Sequence, residues 1–156
     1  MSDEVVSLAG KPPELISFLV RSQEFCIDVM SVREIRVWTP TTPVAHAPQH
    51  VCGVINLRGK VLPIIDFAAK LGMSPTEATT RHAILVVQVR DQILGLLVDG
   101  VSEILTVERD VVQPTPDVAT DAAKEFISGI IALEGRMLSL VVLDAMLPEV
   151  PQDMAA

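Results

Sequence analysis

The chain has 156 residues and a formal net charge of −8; about half its residues are apolar, and its only aromatics are four Phe and one Trp. A chain of this length folds as one compact unit without a disulfide or metal staple, and its apolar share excludes a wholly disordered protein. The acidic balance and the scarcity of aromatic rings argue against a reader of phosphate backbones, a binder of anionic lipid or a base-stacking platform.

Met1–Pro13 holds neither the basic start nor the apolar stretch of a signal peptide, and flexible tails are expected at 1–14 and 148–156. Leu15–Val20 and Phe25–Val29 are β-rich runs around Arg21-Ser22-Gln23-Glu24, which predicts a hairpin. Ser31–Arg36 is expected as one short helical turn, with Val32 and Ile35 three apart on one side. Thr39–Pro48 carries three prolines and reads as a stiff extended connection. Val51–Leu57 and Val61–Ile65 flank Arg58-Gly59-Lys60, where Gly59 supplies the positive φ of a tight hairpin turn. A short helix is expected over Ala68–Leu71, stopped by Gly72, with a polar linker at Ser74–Arg81.

A second series follows. Ala83–Val89 and Ile93–Val98 form a predicted hairpin about Arg90-Asp91-Gln92, ended by Asp99-Gly100. The unbroken apolar run Ile93–Val98 predicts burial on both faces, between two packed units. Gln113–Asp121, with Pro114 and Pro116, is expected as a loop. Phe126–Leu133 and Met137–Leu143 make a third hairpin around Glu134-Gly135-Arg136, before a terminal turn at Asp144–Pro148. No apolar run approaches the roughly 20 residues that span a bilayer, so a soluble, cytoplasmic protein is expected.

The two halves are related. A shift of 76 residues lays Gly53–Leu62 on Gly129–Leu138, and seven of the nineteen pairs from Gly53 to Leu71 are identical. A shift of 69 lays Val32-Arg33-Glu34-Ile35 on Val101-Ser102-Glu103-Ile104. The repeat predicts two similar small β subdomains packed together, about 15–73 and 82–147, whose terminal strands can cross between them. Closure into small barrels suits strands this short, because it hides their edges.

Catalytic chemistry finds little to work with. Asp28, Asp66, Asp99 and Asp144 stand at strand ends, where a carboxylate pair would serve acid–base catalysis but where turn chemistry is the ordinary reading. Cys26 and Cys52 lie in apolar strand patterns without a neighbouring base, so buried free thiols are expected. His46, His50 and His82 form no metal-ligand spacing with them, and no metal or cofactor is expected. No phosphate-binding or dinucleotide-binding glycine motif occurs. Arg58 is the informative residue: at a hairpin tip it either offers a planar fork to a partner carboxylate or is a solvated turn residue, with Glu34 as a possible partner. Val32, Val101 and Ile104 are either core or contact residues.

The stretch Gly53-Val54-Ile55-Asn56-Leu57-Arg58-Gly59-Lys60-Val61-Leu62-Pro63-Ile64-Ile65-Asp66 resembles that of the CheW family of chemotaxis coupling proteins. Phe25–Val29, Val32–Ile35, Gly95–Val101, Gln113–Pro116 and the hairpin at Gly129–Leu143 look like further family blocks in the family's order, so the resemblance runs from about Leu15 to Leu147. It implies an all-β fold of two five-stranded SH3-like β-barrel subdomains with a few short helices. It also implies a non-catalytic adaptor joining the regulatory domain of the CheA histidine kinase to the cytoplasmic tips of chemoreceptors, with other copies of the family as possible array partners. By resemblance, Arg58, Ala83, Gly95, Val101 and Ile104 fall on the receptor-facing side, and Val32, Glu34, Gly53 and Gly59 serve kinase coupling or shape the hairpin that permits it. Two positions depart from the family's habit: Cys26 stands where Gly is frequent, and Ala83 where Val is. The alternatives are a coupler of a paralogous, non-chemotactic kinase pathway, an enzyme using the strand-end Asp residues, and a passive structural protein.

Overall fold

The computed structural model describes residues 14–108, 111–114 and 125–146. The expected tails, apart from Glu14, and most of the loop expected at Gln113–Asp121 lie outside the described residues.

Among the described residues, short runs of β-branched and Leu residues, punctuated by tight turns, give eleven strands. In chain order they are β1 (Glu14–Val20), β2 (Gln23–Asp28), β3 (Val32–Val37), β4 (Val51–Leu57), β5 (Lys60–Asp66), β6 (Ala83–Val89), β7 (Gln92–Val98), β8 (Gly100–Thr106), β9 (Val112–Gln113), β10 (Ile127–Leu133) and β11 (Arg136–Val141). A four-residue helix α1 (Phe67–Lys70) follows β5, and single 3-10 turns follow β2 (Val29–Ser31) and β11 (Leu143–Met146). The turns at Arg58-Gly59 and Glu134-Gly135 have positive φ at both residues, the geometry that matches the twist of a two-residue hairpin.

The strands form two sheets, ordered β8-β1-β2-β11-β10-β9 and β3-β6-β7-β5-β4. The all-β, two-sheet architecture is the expected one. One sheet has six strands rather than five, because the two-residue β9 lies along β10. Each sheet takes strands from both halves of the repeat. Under the repeat, β1–β5 correspond to β6, β7, β8, β10 and β11, and each half contributes its first hairpin to the other's sheet. Hairpin β1–β2 sits between β8 and β11, and hairpin β6–β7 sits between β3 and β5. The registers repeat as well: Ile35 opposes Leu85 as Ile104 opposes Ile16, and Ile64 opposes Gly95 as Leu140 opposes Cys26.

The predicted helical turn at Ser31–Arg36 is a strand. Register slips between Val32 and Glu34, so Arg33 is the extra residue of a β-bulge. The bulge puts Val32 and Ile35 on one side at a spacing of three and counterfeits a helical period. The equivalent bulge in β8, at Ser102, does the same for Val101 and Ile104. Strand β8 carries no expectation from the sequence, since its apolar residues do not alternate.

Alternation along the exchanged hairpins produces three cores. Ile16, Phe18, Val20, Phe25 and Ile27 of one sheet meet Leu85, Val87, Val89, Leu94, Leu96 and Val98 of the other in a shared seam. The opposite faces close smaller clusters, Leu15, Cys26, Ile131 and Leu138 in the six-stranded sheet and Leu62, Ile64, Ile84, Val86 and Leu97 in the five-stranded one. Burial of Ile93–Val98 on both faces is thus as expected, with odd positions turned to the sheet's own interior and even ones to the seam. Phe18, Phe25 and Phe67 pack edge to face or stacked at the seam, with ring centroids 4.9–5.8 Å apart.

Each sheet also curls. Strand β3 and the β4–β5 tip lie toward opposite edges of the five-stranded sheet. At about 4.8 Å per strand a flat sheet would hold them more than about 14 Å apart, yet the side chains of Glu34 and Arg58 form an ion pair. In the other sheet Arg136 of β11 reaches Glu103 of β8 at 2.6 Å across the positions of β1 and β2.

Candidate docking surfaces

Glu34 and Arg58 form the centre of the first candidate surface. Glu34 follows the bulge of β3, and Arg58 occupies the first position of the β4–β5 turn with φ of +51°. The Arg58 guanidinium donates to the Glu34 carboxylate while remaining 72% exposed, and Arg36 approaches the same carboxylate at 3.5 Å. The proximity proposed from sequence is therefore present. Arg58 is not a free fork: its intramolecular partner is in place, and a partner's carboxylate would share or displace Glu34. The turn is braced by Asn56, whose side-chain oxygen accepts from the Gly59 N–H at 2.8 Å. Ile35, Val37 and Val61, on β3 and at the start of β5, are exposed.

The second surface is the edge strand β8. Ile104 is 58% exposed there, and Val101 is half-buried against the seam opposite Phe18. Ala83 and Val32 are half-buried at the seam's margin, on paired strands β6 and β3. Val101, Ala83 and Val32 therefore belong partly to the core and partly to the surface, and Ile104 to the surface.

Two of the residues named by resemblance, Gly95 and Gly53, stand inside the fold. Gly95 is buried in β7, and a Cβ there would meet Ile64 Cδ1 and Ile84 Cγ2 at 2.7 Å. Gly53 is buried at φ +147°, and a Cβ would lie 2.4 Å from the Thr42 carbonyl oxygen. Both act by what they leave out. Gly59 is exposed with φ +85° and open space around it, so it shapes the turn. The arginine the sequence left unremarked is Arg136, whose fork takes Glu24 through Nε at 3.2 Å and Nη2 at 2.6 Å and Glu103 through Nη1 at 2.6 Å. Its signal was the repeat, which sets Glu103 at the position of Glu34.

The four strand-end aspartates all do turn or packing work. Asp28 accepts from Met30 N–H at 2.9 Å, and Asp66 caps α1 and accepts from both the N–H and the hydroxyl of Thr76. Asp99 accepts from Arg21 N–H at 2.7 Å, and Asp144 pairs with Arg90 at 2.9 Å. Burial pushes the thiols of Cys26 and Cys52 up to about 12, aided by Glu24 and Asp66 respectively, so both are protonated and poor nucleophiles at neutral pH. Among the described residues no helix is long and apolar enough to cross a membrane.

The hydrogen bond from Arg136 holds the Glu24 carboxyl below the usual range, and that from Arg58 does the same for Glu34, each against partial burial. A carboxyl with its pKa lowered on folding stabilises the fold above the unfolded value, 4.5 for glutamate, and loses that contribution as pH falls through the lowered folded value. The melting temperature is therefore expected to hold above about pH 5 and to fall on further acidification. Scanning calorimetry of Glu24→Gln over a pH series checks this: the variant should start lower at neutral pH and lose less on acidification.

These features define an all-β, two-sheet binding module whose strand-end aspartates are engaged in the fold, whose thiols are held protonated by burial and whose exposed features include apolar strand edges beside ion pairs. A family model described as a CheW-like domain matches residues 14–150, and the chain belongs to this CheW family of chemotaxis scaffold proteins. It is 53% identical over 155 residues to the chemotaxis protein CheW of Rhizobium meliloti, covering 99% of this chain and 100% of that protein. It is 34% identical over 145 residues to the chemotaxis protein CheW of Klebsiella aerogenes, covering 92% and 87% of the two. The crystal structure of the scaffolding protein TtCheW from Thermoanaerobacter tengcongensis matches with a TM-score of 0.76 at 28% identity, over 84% of this chain and 89% of that one.

Proposed function

We propose that the chain is a non-catalytic cytoplasmic adaptor that couples chemoreceptors to the CheA histidine kinase at membrane-associated arrays, touching the receptor's cytoplasmic tip and the kinase's regulatory domain. The observation that carries this reading is the end-to-end likeness to chemotaxis scaffolds, 53% identical over 99% of the chain. The surfaces supply a means: two repeat-related edges, β3 with its hairpin tip and β8, expose Ile35 and Ile104 at equivalent positions. Arg58, Val101 and Ile104 would meet the receptor, with Ala83 supporting them and Gly95 shaping the sheet beneath. Val32 and Glu34 would meet the kinase, with Gly53 and Gly59 setting the hairpin. Glu34 and Arg58 share one ion pair, so on this reading the two contacts would adjoin.

Calorimetric titration with the regulatory domain of the cognate kinase and with a receptor-tip fragment tests the reading. Saturable one-to-one binding to each is expected. Arg58→Glu should weaken the receptor contact with little change in melting temperature, since a largely exposed ion pair contributes little to stability. Absence of binding to both folded partners would remove the coupling role and leave only the fold.

A further inference from the structure

Among the described residues the six-stranded sheet ends on β8, which pairs there with β1 alone. Its ladder is interrupted: register slips between Ser17 and Phe18, and Ser102 is left as the extra residue of a bulge. The next residue, Glu103, is where the strand is fastened again. The buried Ser17 hydroxyl donates to the Glu103 carbonyl and accepts from the Glu103 N–H, each at 3.3 Å. The Glu103 side chain is then taken by Nη1 of Arg136 at 2.6 Å, while Nε and Nη2 of the same guanidinium grip Glu24 on β2. One planar fork thus ties β8, β11 and β2 at the weakest point of the edge strand.

The repeat shows that this fastening is not incidental. Glu34, the counterpart of Glu103, also follows a bulge and also meets an arginine from its hairpin tip. Yet that arginine, Arg58, corresponds by the repeat to Glu134, whereas Arg136 corresponds to Lys60. The same glutamate is met from two different positions, so the contact recurs although its cation has moved. Glu103 immediately precedes Ile104, the most exposed apolar residue of β8. Without Arg136, the carboxylates of Glu24 and Glu103 would face one another with no cation between them.

We propose that Arg136 is a positioning residue: by clamping Glu103 beside the bulge it holds the edge strand so that Val101 and Ile104 present a fixed apolar surface to the receptor tip. The inference rests on the adaptor reading for the identity of that partner, but the clamp itself does not.

The test uses the full chain with Arg136→Gln, Glu103→Gln, Glu24→Gln and Arg136→Lys. Hydrogen exchange is followed over residues 100–106, and calorimetry measures affinity for a receptor-tip fragment and for the kinase regulatory domain. Arg136→Gln and Glu103→Gln are expected to speed exchange in β8 by about tenfold or more, and to weaken receptor binding severalfold while kinase binding holds. Glu24→Gln, which leaves the Glu103 contact in place, should do neither, and Arg136→Lys should recover part of the loss. Unchanged exchange in β8 overturns the clamp. A loosened β8 with undiminished receptor affinity, or an equal loss toward both partners, overturns its positioning role. A wild-type chain that binds neither partner overturns the adaptor reading instead, and the exchange measurement still decides the clamp.

Discussion

Phe67→Ala is expected to lower unfolding stability by about 3–5 kcal/mol, a large part of the roughly 5–15 kcal/mol that a domain possesses. The Phe67 ring is fully buried at the start of α1, with its centroid 5.2 Å from that of Phe18 and 4.9 Å from that of Phe25. It follows β5 of one sheet and packs on β1 and β2 of the other, so removing it opens a cavity at the seam and not inside either sheet. The form of the transition is the sharper part of the prediction. Trp38, the sole tryptophan, packs on the interior cluster of the five-stranded sheet and reports on that sheet alone, whereas far-ultraviolet circular dichroism reports on both. In urea the two signals should move together, at a lower midpoint than wild type, because the shared seam is the larger core. A tryptophan signal that ran ahead of the dichroism would mean that the sheets are separately stable.

Gly53→Ala should be the more damaging of two glycine substitutions in the β4–β5 hairpin. The new Cβ would stand 2.4 Å from the Thr42 carbonyl oxygen, 2.9 Å from the Thr41 hydroxyl, and on a backbone at φ +147°. The obstruction is backbone, and it is fixed: Thr42 and Val54 exchange hydrogen bonds of 2.9 Å in each direction. Crowding of about 1–3 kcal/mol therefore adds to backbone strain of about 1–3 kcal/mol. Gly59→Ala has open space and meets only the left-handed backbone penalty, about 1–2 kcal/mol. Chemical denaturation of both variants checks the order. If kinase binding is then measured on whatever remains folded, loss in Gly59→Ala without loss of stability would mark the turn as a contact, and proportional losses would mark both glycines as structural.

Much of this fold was legible because its information is local or repeated. Arg58-Gly59-Lys60 and Glu134-Gly135-Arg136 announced their turns, and the offsets of 69 and 76 announced two related halves. The exchange of hairpins was not legible in detail. Since β1–β2 and β6–β7 carry equivalent patterns, the apolar sequence is satisfied equally by a hairpin that stays at home and by one that crosses. Strand β3 was misread for a physical reason, the bulge at Arg33, which changes the spacing of same-side residues Val32 and Ile35 from two to three. At the candidate surfaces, the Glu34–Arg58 pair could be anticipated from charge and a turn. The burial of Gly95 could not, because a missing side chain gives no hint of what crowds around it. Arg136 was missed because its partners, Glu24 and Glu103, lie 112 and 33 residues away in sequence.

The crossed hairpins also set an order of events during synthesis. A nascent chain that has reached Gly72 holds β1–β2 without either flanking strand, and β3–β5 without the hairpin that must lie between them. The five-stranded sheet can close only when β7 has emerged, at Val98, and the six-stranded sheet only after β11, where Leu138 pairs with Glu24 across 114 residues of chain. Until then apolar strands with open edges stand exposed, the condition under which slow, non-local β topologies aggregate. A truncated first half would therefore be expected to fail as a folding unit. Strand β11 closes the sheet against β2, a strand made more than a hundred residues before it.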